Sequence, residues 1–168
     1  LIDNAMNPVQ FVMPTPDEST VKKWINLALK VIVQRGITNI HDAWQDPVTV
    51  KVLQQMSANG KLPIRVYGML GSRYPKLLKQ FFKEGFFNSE NYTIRSVKAF
   101  IDGALGSRGA ALLEPYCDDL NNCGLILISD KDFIKLAQKC QDAGFQLCTH
   151  AIGDRGNKMV LDIYSEFT

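Results

Sequence analysis

A chain of 168 residues, 46% hydrophobic and 21% charged, has the composition of an ordinary soluble globular protein long enough to bury a core. Its formal charge of +2 and the lack of a dense basic stripe argue against a nucleic-acid partner; Lys76, Lys79 and Lys83 read as one solvated helix face. No apolar run approaches the ~20 residues of a membrane span, no signal segment opens the chain, and no repeat of fixed period runs through it, so no membrane partner is expected. Cys117, Cys123, Cys140 and Cys148 form no CxxC pair. They read as free thiols, with a disulfide or half a metal site at Cys117 and Cys123 the weaker alternative. Together with the missing signal, unpaired cysteines lead us to expect a cytoplasmic protein.

Residues 1–14 show no clear period and read as an extended lead-in. Thr15-Pro16-Asp17-Glu18 reads as a helix start, with Thr15 as the cap, proline in the first turn and glutamate three residues after the cap. Apolar residues from Val21 to Val33 carry this helix to about Gln34, and Gly36 stops it. Ile37 to Ile40 reads as a short strand with His41-Asp42 at its C-terminal end. Asp46-Pro47 opens a helix that runs to Ala58 and stops at Asn59-Gly60. Ile64 to Leu70 is a second strand, and Pro75 to Lys83 a third helix closed by Gly85. Val97 to Ile101 is a third strand. Gly103 to Asn122 is long and irregular, with a short helical piece near Ala110 to Leu113. Loops of this length in compact domains are functional or disordered. Ser129 and Asp132 cap a helix to Asp142, Phe145 to Ala151 is a fourth strand, and Asp154 to Phe167 a final helix that runs straight into the C-terminus, as a cut would leave it.

Strands of four to seven residues alternating with longer helices predict parallel βα units. Two architectures fit, an open doubly wound sheet or part of a (β/α)₈ barrel; a whole barrel needs ~250 residues, so four strands make about half of one. Both place the active site at the C-terminal ends of the strands. The polar residues there are His41 and Asp42, Lys98 and Asp102, and His150 with Asp154.

The period of two puts Lys98, Phe100 and Asp102 on one face of the third strand. A lysine inside a central parallel strand is unusual, and burying its ammonium unpaired is costly. It is either paired with Asp102 or another carboxylate, or it is a Schiff-base, general-base or CO₂-carbamylated lysine. His150 ends an apolar run and is either a hydrogen-bonded core imidazole or a metal ligand. Asp42 caps a loop or, with His41, meets a substrate. Arg108 either clamps a substrate oxygen or ties its loop to Glu114 or Asp118. The glycines around it match neither GxxxxGK[ST] nor GxGxxG, which disfavours a nucleotide site.

VKAFIDGALGSRGAALLEPYCDD, CGLILIS and CTHAIGDRGNKMVLDIYSE closely resemble the amidohydrolase superfamily, and within it the amidohydrolase-3 group of YtcJ-like metal-dependent hydrolases, relatives of N-substituted formamide deformylase. GITNIHDAW matches that group's second-strand pattern. The resemblance covers roughly residues 15 to 168, and its DGALGSRGA and THAIGDR motifs are specific. It implies a (β/α)₈ barrel of which this chain supplies the second to fifth strands, as one central segment over residues 1–168. It further implies one or two divalent metal ions, zinc first among them, with Lys98 in the place of a fourth-strand lysine that is often carbamylated and His150 in that of a fifth-strand histidine ligand. The ion would activate a water for attack on an amide-type, non-peptide C–N bond of a small molecule. Asp102, Gly103, Arg108, Asp154, His41 and Asp42 are the expected substrate-side residues.

The family also uses an HxH pair, a further histidine and an aspartate on other strands, whereas this chain has only His41 and His150. The expectation is therefore a central portion of a larger enzyme, inactive alone. Two rivals remain: a lysine-based (Schiff-base) aldolase or isomerase on the same barrel, and a non-catalytic α/β module binding a partner, with self-association into a homo-oligomer left open.

Overall fold

The structure is a computed structural model that describes residues 6–167. The chain divides into two compact units, one of residues 15–98 and 143–148, the other of residues 1–14, 99–142 and 149–168. Residues 1–5 of the lead-in lie outside the described part. The rest of it is not extended throughout, because Asn7–Val12 forms a short helix, α1.

The first unit holds α2 (Glu18–Gln34), β1 (Asn39–Gln45), α3 (Pro47–Ala58), β2 (Arg65–Gly71), α4 (Pro75–Glu84), β3 (Phe87–Asn88) and most of β4 (Tyr92–Phe100). The sheet order is β1-β2-β4-β3, with β5 (Gln146–His150) also paired to β4. β1 with β2 and β2 with β4 are parallel, each joined by a helical crossover, as the alternating pattern requires. β3 is an antiparallel two-residue addition to β4 that the pattern did not signal. Burial explains these elements. In α4, Leu77, Leu78 and Phe81 are buried while Lys76, Lys79 and Lys83 face solvent. Leu70, Ile94 and Val97 are fully enclosed in the sheet.

Local chemistry moves several boundaries. The cap of α2 is Asp17 and not Thr15, because the Asp17 carboxylate accepts the Thr20 N–H at 2.8 Å. Asp46 caps α3 in the same way, accepting the Thr49 N–H at 2.8 Å. β1 begins two residues late and continues through Gln45, so His41 and Asp42 stand inside the strand rather than beyond its end. Of the apolar run in α2, only Val21 and Leu29 are buried, and Trp24 and Leu27 lie in the open.

The second unit holds α5 (Asp130–Asp142), α6 (Asp154–Tyr164) and the irregular segment between β4 and α5. Ser129 and Asp132 form the expected reciprocal cap of α5, the Ser129 hydroxyl accepting the Asp132 N–H and donating to its carboxylate. Phe133, Ala137 and Cys140 on α5 and Val160 and Ile163 on α6 are buried. The last turn is 3₁₀ over Ser165–Phe167, so α6 ends earlier than its pattern suggested. In the long segment the helical piece is a 3₁₀ turn at Leu105–Ser107, not at residues 110–113.

Candidate active site

Lys98 lies near the C-terminal end of β4, in register with Gly71 at the end of β2. It is half-buried, and that burial pulls its ammonium below the usual lysine range, with Cys148 on β5 acting in the opposite direction. The Cys148 thiol is in turn pushed up by burial, against a hydrogen bond with Ser96. Lys98 thus has a thiol neighbour that its sequence context did not suggest.

His41 and Asp42 face opposite sides of β1, as the strand period dictates. The His41 ring leans on Tyr67 at 5.1 Å between centroids. With Asn39, Arg65, Glu90, Asn91 and Thr93 it lines a cleft of about 260 Å³. This cleft opens where the parallel strands β1, β2 and β4 begin, the end of such sheets that does not carry the chemistry. Asp42 belongs to a buried relay on the other face. The Tyr92 hydroxyl donates to Gln45 Oε1 at 2.5 Å, and Gln45 Nε2 donates to Asp42 Oδ2 at 2.8 Å. Burial pushes the Asp42 carboxyl up and the Tyr92 phenol far above its usual range. Gln45 fills the space over Gly68, where a Cβ would fall 2.2 Å from its Oε1.

In the second unit the organising group is Asp102, whose side chain is fully enclosed. Its Oδ2 accepts the N–H groups of Ala111 at 2.9 Å and Gly153 at 2.8 Å, and its Oδ1 accepts that of Ile152 at 3.0 Å. Three backbone donors from two separate turns therefore converge on one carboxylate. The irregular segment closes on the same turn elsewhere: Gly156 N–H donates to Ala111 O, and Asp154 Oδ1 accepts the Leu113 N–H at 2.9 Å. Gly153 and Gly156 are required by contact. A Cβ on Gly153 would fall 1.8 Å from Ala111 O, and one on Gly156 would fall 2.8 Å from Asp102 Oδ2. Asp102 and Asp154 are thus engaged by backbone, and Gly103 N–H donates to Gly109 O. The glycine spacing in AIGDRG was the available signal for this packing.

His150 ends β5 and packs against Phe100, with ring centroids 5.2 Å apart. Its Nε2 is buried, has no hydrogen-bond partner, and stands 3.6 Å from Asp102 Oδ1. That separation is beyond hydrogen-bond range. The ring is therefore not a core histidine whose Nε2 is satisfied, which leaves it suited to a ligand. Arg108 has a left-handed backbone (φ 55°) and pairs through its guanidinium with Asp118 at 3.0 Å, one of the two ties its neighbours offered; both side chains are largely exposed. None of the four cysteines is in a disulfide. Among the described residues no three or more His, Cys, Asp or Glu side chains converge as a metal cluster, and no helix is long and apolar enough to cross a membrane.

The chain is similar to known proteins over most of its length. The chain is 30% identical to Protein LONG AFTER FAR-RED 3 of Arabidopsis thaliana, over 98% of its own length and 30% of that protein's. It is 28% identical to YtcJ of Bacillus subtilis (strain 168), over 96% of its length and 31% of that protein's. It thus spans about a third of these curated relatives. An uncharacterized metal-dependent hydrolase from Pyrococcus horikoshii OT3 superposes with a TM-score of 0.81 at 26% identity, covering 90% of this chain and 31% of that one. One from Pyrococcus furiosus gives 0.85 at 24% identity, covering 99% and 36%, a likeness of fold. The fold is accordingly part of a (β/α)₈ barrel, one of the two architectures the parallel βα pattern allowed and the one the family resemblance implied. The sequence model of the Amidohydrolase family matches residues 1–166, and the chain belongs to that family.

Proposed function

We propose that this chain is the central part of a metal-dependent hydrolase that cleaves amide-type, non-peptide C–N bonds in small molecules, in a cytoplasmic setting. The observation that carries the reading is His150, whose ring ends a barrel strand with a buried nitrogen left unbonded, in a chain of the Amidohydrolase family. His150 and Lys98 would hold a divalent ion, zinc by preference, since imidazole and an anionic oxygen ligand suit it. When bound, the ion supplies Lewis acidity and an activated water.

Lys98 would serve as its carbamate. The neutral amine adds to CO₂, forming one N–C bond and releasing one proton, and the carbamate oxygens become the ligands. Burial supports this step by enlarging the neutral fraction of the amine. Arg108 is offered to the substrate's carbonyl or carboxylate oxygen once Asp118 yields it, while Asp102 and Asp154 shape the floor through the backbone. Two ligands do not close a catalytic site, so residues 1–168 alone should be inactive.

The test is metal content of the 168-residue chain beside that of a longer polypeptide carrying the flanking coding sequence. The longer protein should hold about one or two ions and lose them in Lys98→Ala and His150→Ala. An ion-free longer protein, or one whose content neither substitution changes, overturns the reading. A lowered lysine also favours Schiff-base chemistry; borohydride trapping of a carbonyl substrate on Lys98 would establish that alternative.

A further inference from the structure

We propose that the outer edge of β1 and the uncovered apolar stripe of α2 form one interface. Its occupant is a strand parallel to β1, supplied by polypeptide on the N-terminal side of these residues in a longer protein. The inference rests on the reading that the chain is part of such a protein, and not on that protein's chemistry. At about 100° per residue the apolar side chains of α2 fill a continuous arc, wider than the stripe one neighbour covers. Val21 and Leu29 occupy its buried half. Trp24, Leu27 and Val31 occupy the other half and are 56%, 65% and 51% exposed. Lys22 and Lys30 lie outside the arc, on the side left to water. The second apolar half is therefore shaped for a second neighbour.

β1 supplies the backbone for it. Among the described residues this strand pairs with β2 alone. Arg65 N–H donates to Thr38 O, and Asn39 stands opposite Arg65 in the parallel register, so Ile40 and Asp42 also turn their backbone groups toward β2. Asn39 and His41 turn theirs the other way, to an edge that another strand can extend.

Topology selects the occupant. β1, β2 and β4 follow one another across the sheet in chain order, and α3 joins the first two. α2 packs on α3, which places both helices on one face of the sheet. Crossovers of this kind are right-handed, so on one face the chain advances across the sheet in a single direction. A strand joined to the N-terminal end of α2 therefore falls on the side of β1 away from β2, with α2 over it. The chain spans about a third of its curated relatives, and the remaining length of such proteins is ample for this strand. A second copy meeting the edge about a two-fold axis would run antiparallel to β1, against the order the sheet already has.

The experiment compares the 168-residue chain with a longer polypeptide carrying the flanking coding sequence. One readout is acrylamide quenching of Trp24, taken in Trp44→Phe because Trp44 is the other tryptophan. The second is hydrogen exchange over residues 39–45 in the unsubstituted proteins. In the longer protein Trp24 should be shielded several-fold better than in the short chain, and exchange over β1 should slow by roughly tenfold or more. Trp24→Lys should lower the melting temperature of the longer protein and leave that of the short chain unchanged. A longer protein in which Trp24 stays open to acrylamide, or β1 exchanges freely, overturns the proposal by itself. Should Trp44→Phe not fold, exchange decides alone. Shielding that requires dimerisation, seen by sedimentation, assigns the surface to a second copy and also overturns it. Metal content separates the two readings: a shielded longer protein without ions sinks only the metal site, whereas bound ions with Trp24 and β1 exposed sink only this inference.

Discussion

The two units of this protein reach order by different means. In residues 15–98 regular strands and helices bury large side chains, and enclosed residues such as Leu70, Ile94 and Val97 hold the sheet by apolar contact. In residues 99–128 and 149–156 there is little regular structure; a buried carboxylate, close glycine contacts and crossing backbone bonds hold the loops around a few enclosed apolar residues, Ile101, Ala110 and Ala111. The first region should tolerate changes that keep volume and period. The second should be brittle at a few positions and indifferent at most others.

The sharpest way to break this comparison is Gly153→Ala. Its new methyl would overlap the Ala111 carbonyl, a backbone atom that cannot swing away. We expect a loss of at least about 3 kcal/mol in urea unfolding, at the top of the range for overpacking. Gly106→Ala, in the segment after β4 and with open space around its Cβ, should change stability by no more than about 0.5 kcal/mol. Equal effects at the two glycines would mean that the segment is not fixed by contact.

In the apolar region a weak point is the buried polar relay of Tyr92, Gln45 and Asp42. Tyr92→Phe removes the donor to Gln45 Oε1 and leaves that oxygen enclosed and unbonded. A loss of about 1–3 kcal/mol by thermal or urea unfolding is expected. A neutral result would show that Gln45 finds another donor.

The relay also sets a pH dependence. Because burial raises the Asp42 carboxyl in the folded state, the folded chain binds its proton more tightly than the unfolded chain. Stability should therefore fall as pH rises from the ordinary carboxylate value near 3.9 through the folded value, the cost remaining above it. Asp42→Asn keeps an acceptor for Gln45 and should flatten that slope in unfolding measured from pH 4 to 7. An unchanged slope would assign it to other groups.

The smallest effect belongs to Arg108→Ala. Its pair with Asp118 is exposed on both sides, so we expect the smallest loss of stability of the set, shrinking further at high salt. If the proposed function holds, the same change should alter KM in the longer enzyme far more than it alters stability.

The sequence by itself determined the parallel βα alternation, the bounds of α3 and α4 to within a residue, and the presence of strands carrying Lys98 and His150 near their C-terminal ends. These follow from short-range rules: periods of 2 and 3.6, a capping aspartate followed by proline at α3, and a glycine just past α3 and α4. It also displayed the DGALGSRGA and AIGDRG motifs without showing how they join. Tertiary structure alone decided that Asp42 turns inward to Gln45 while His41 faces the other way. It alone placed a thiol beside Lys98, and it brought Asp102 to the backbone of turns some fifty residues away. Those pairings depend on which distant segments meet, and burial and hydrogen-bond satisfaction select them only once the whole chain has folded.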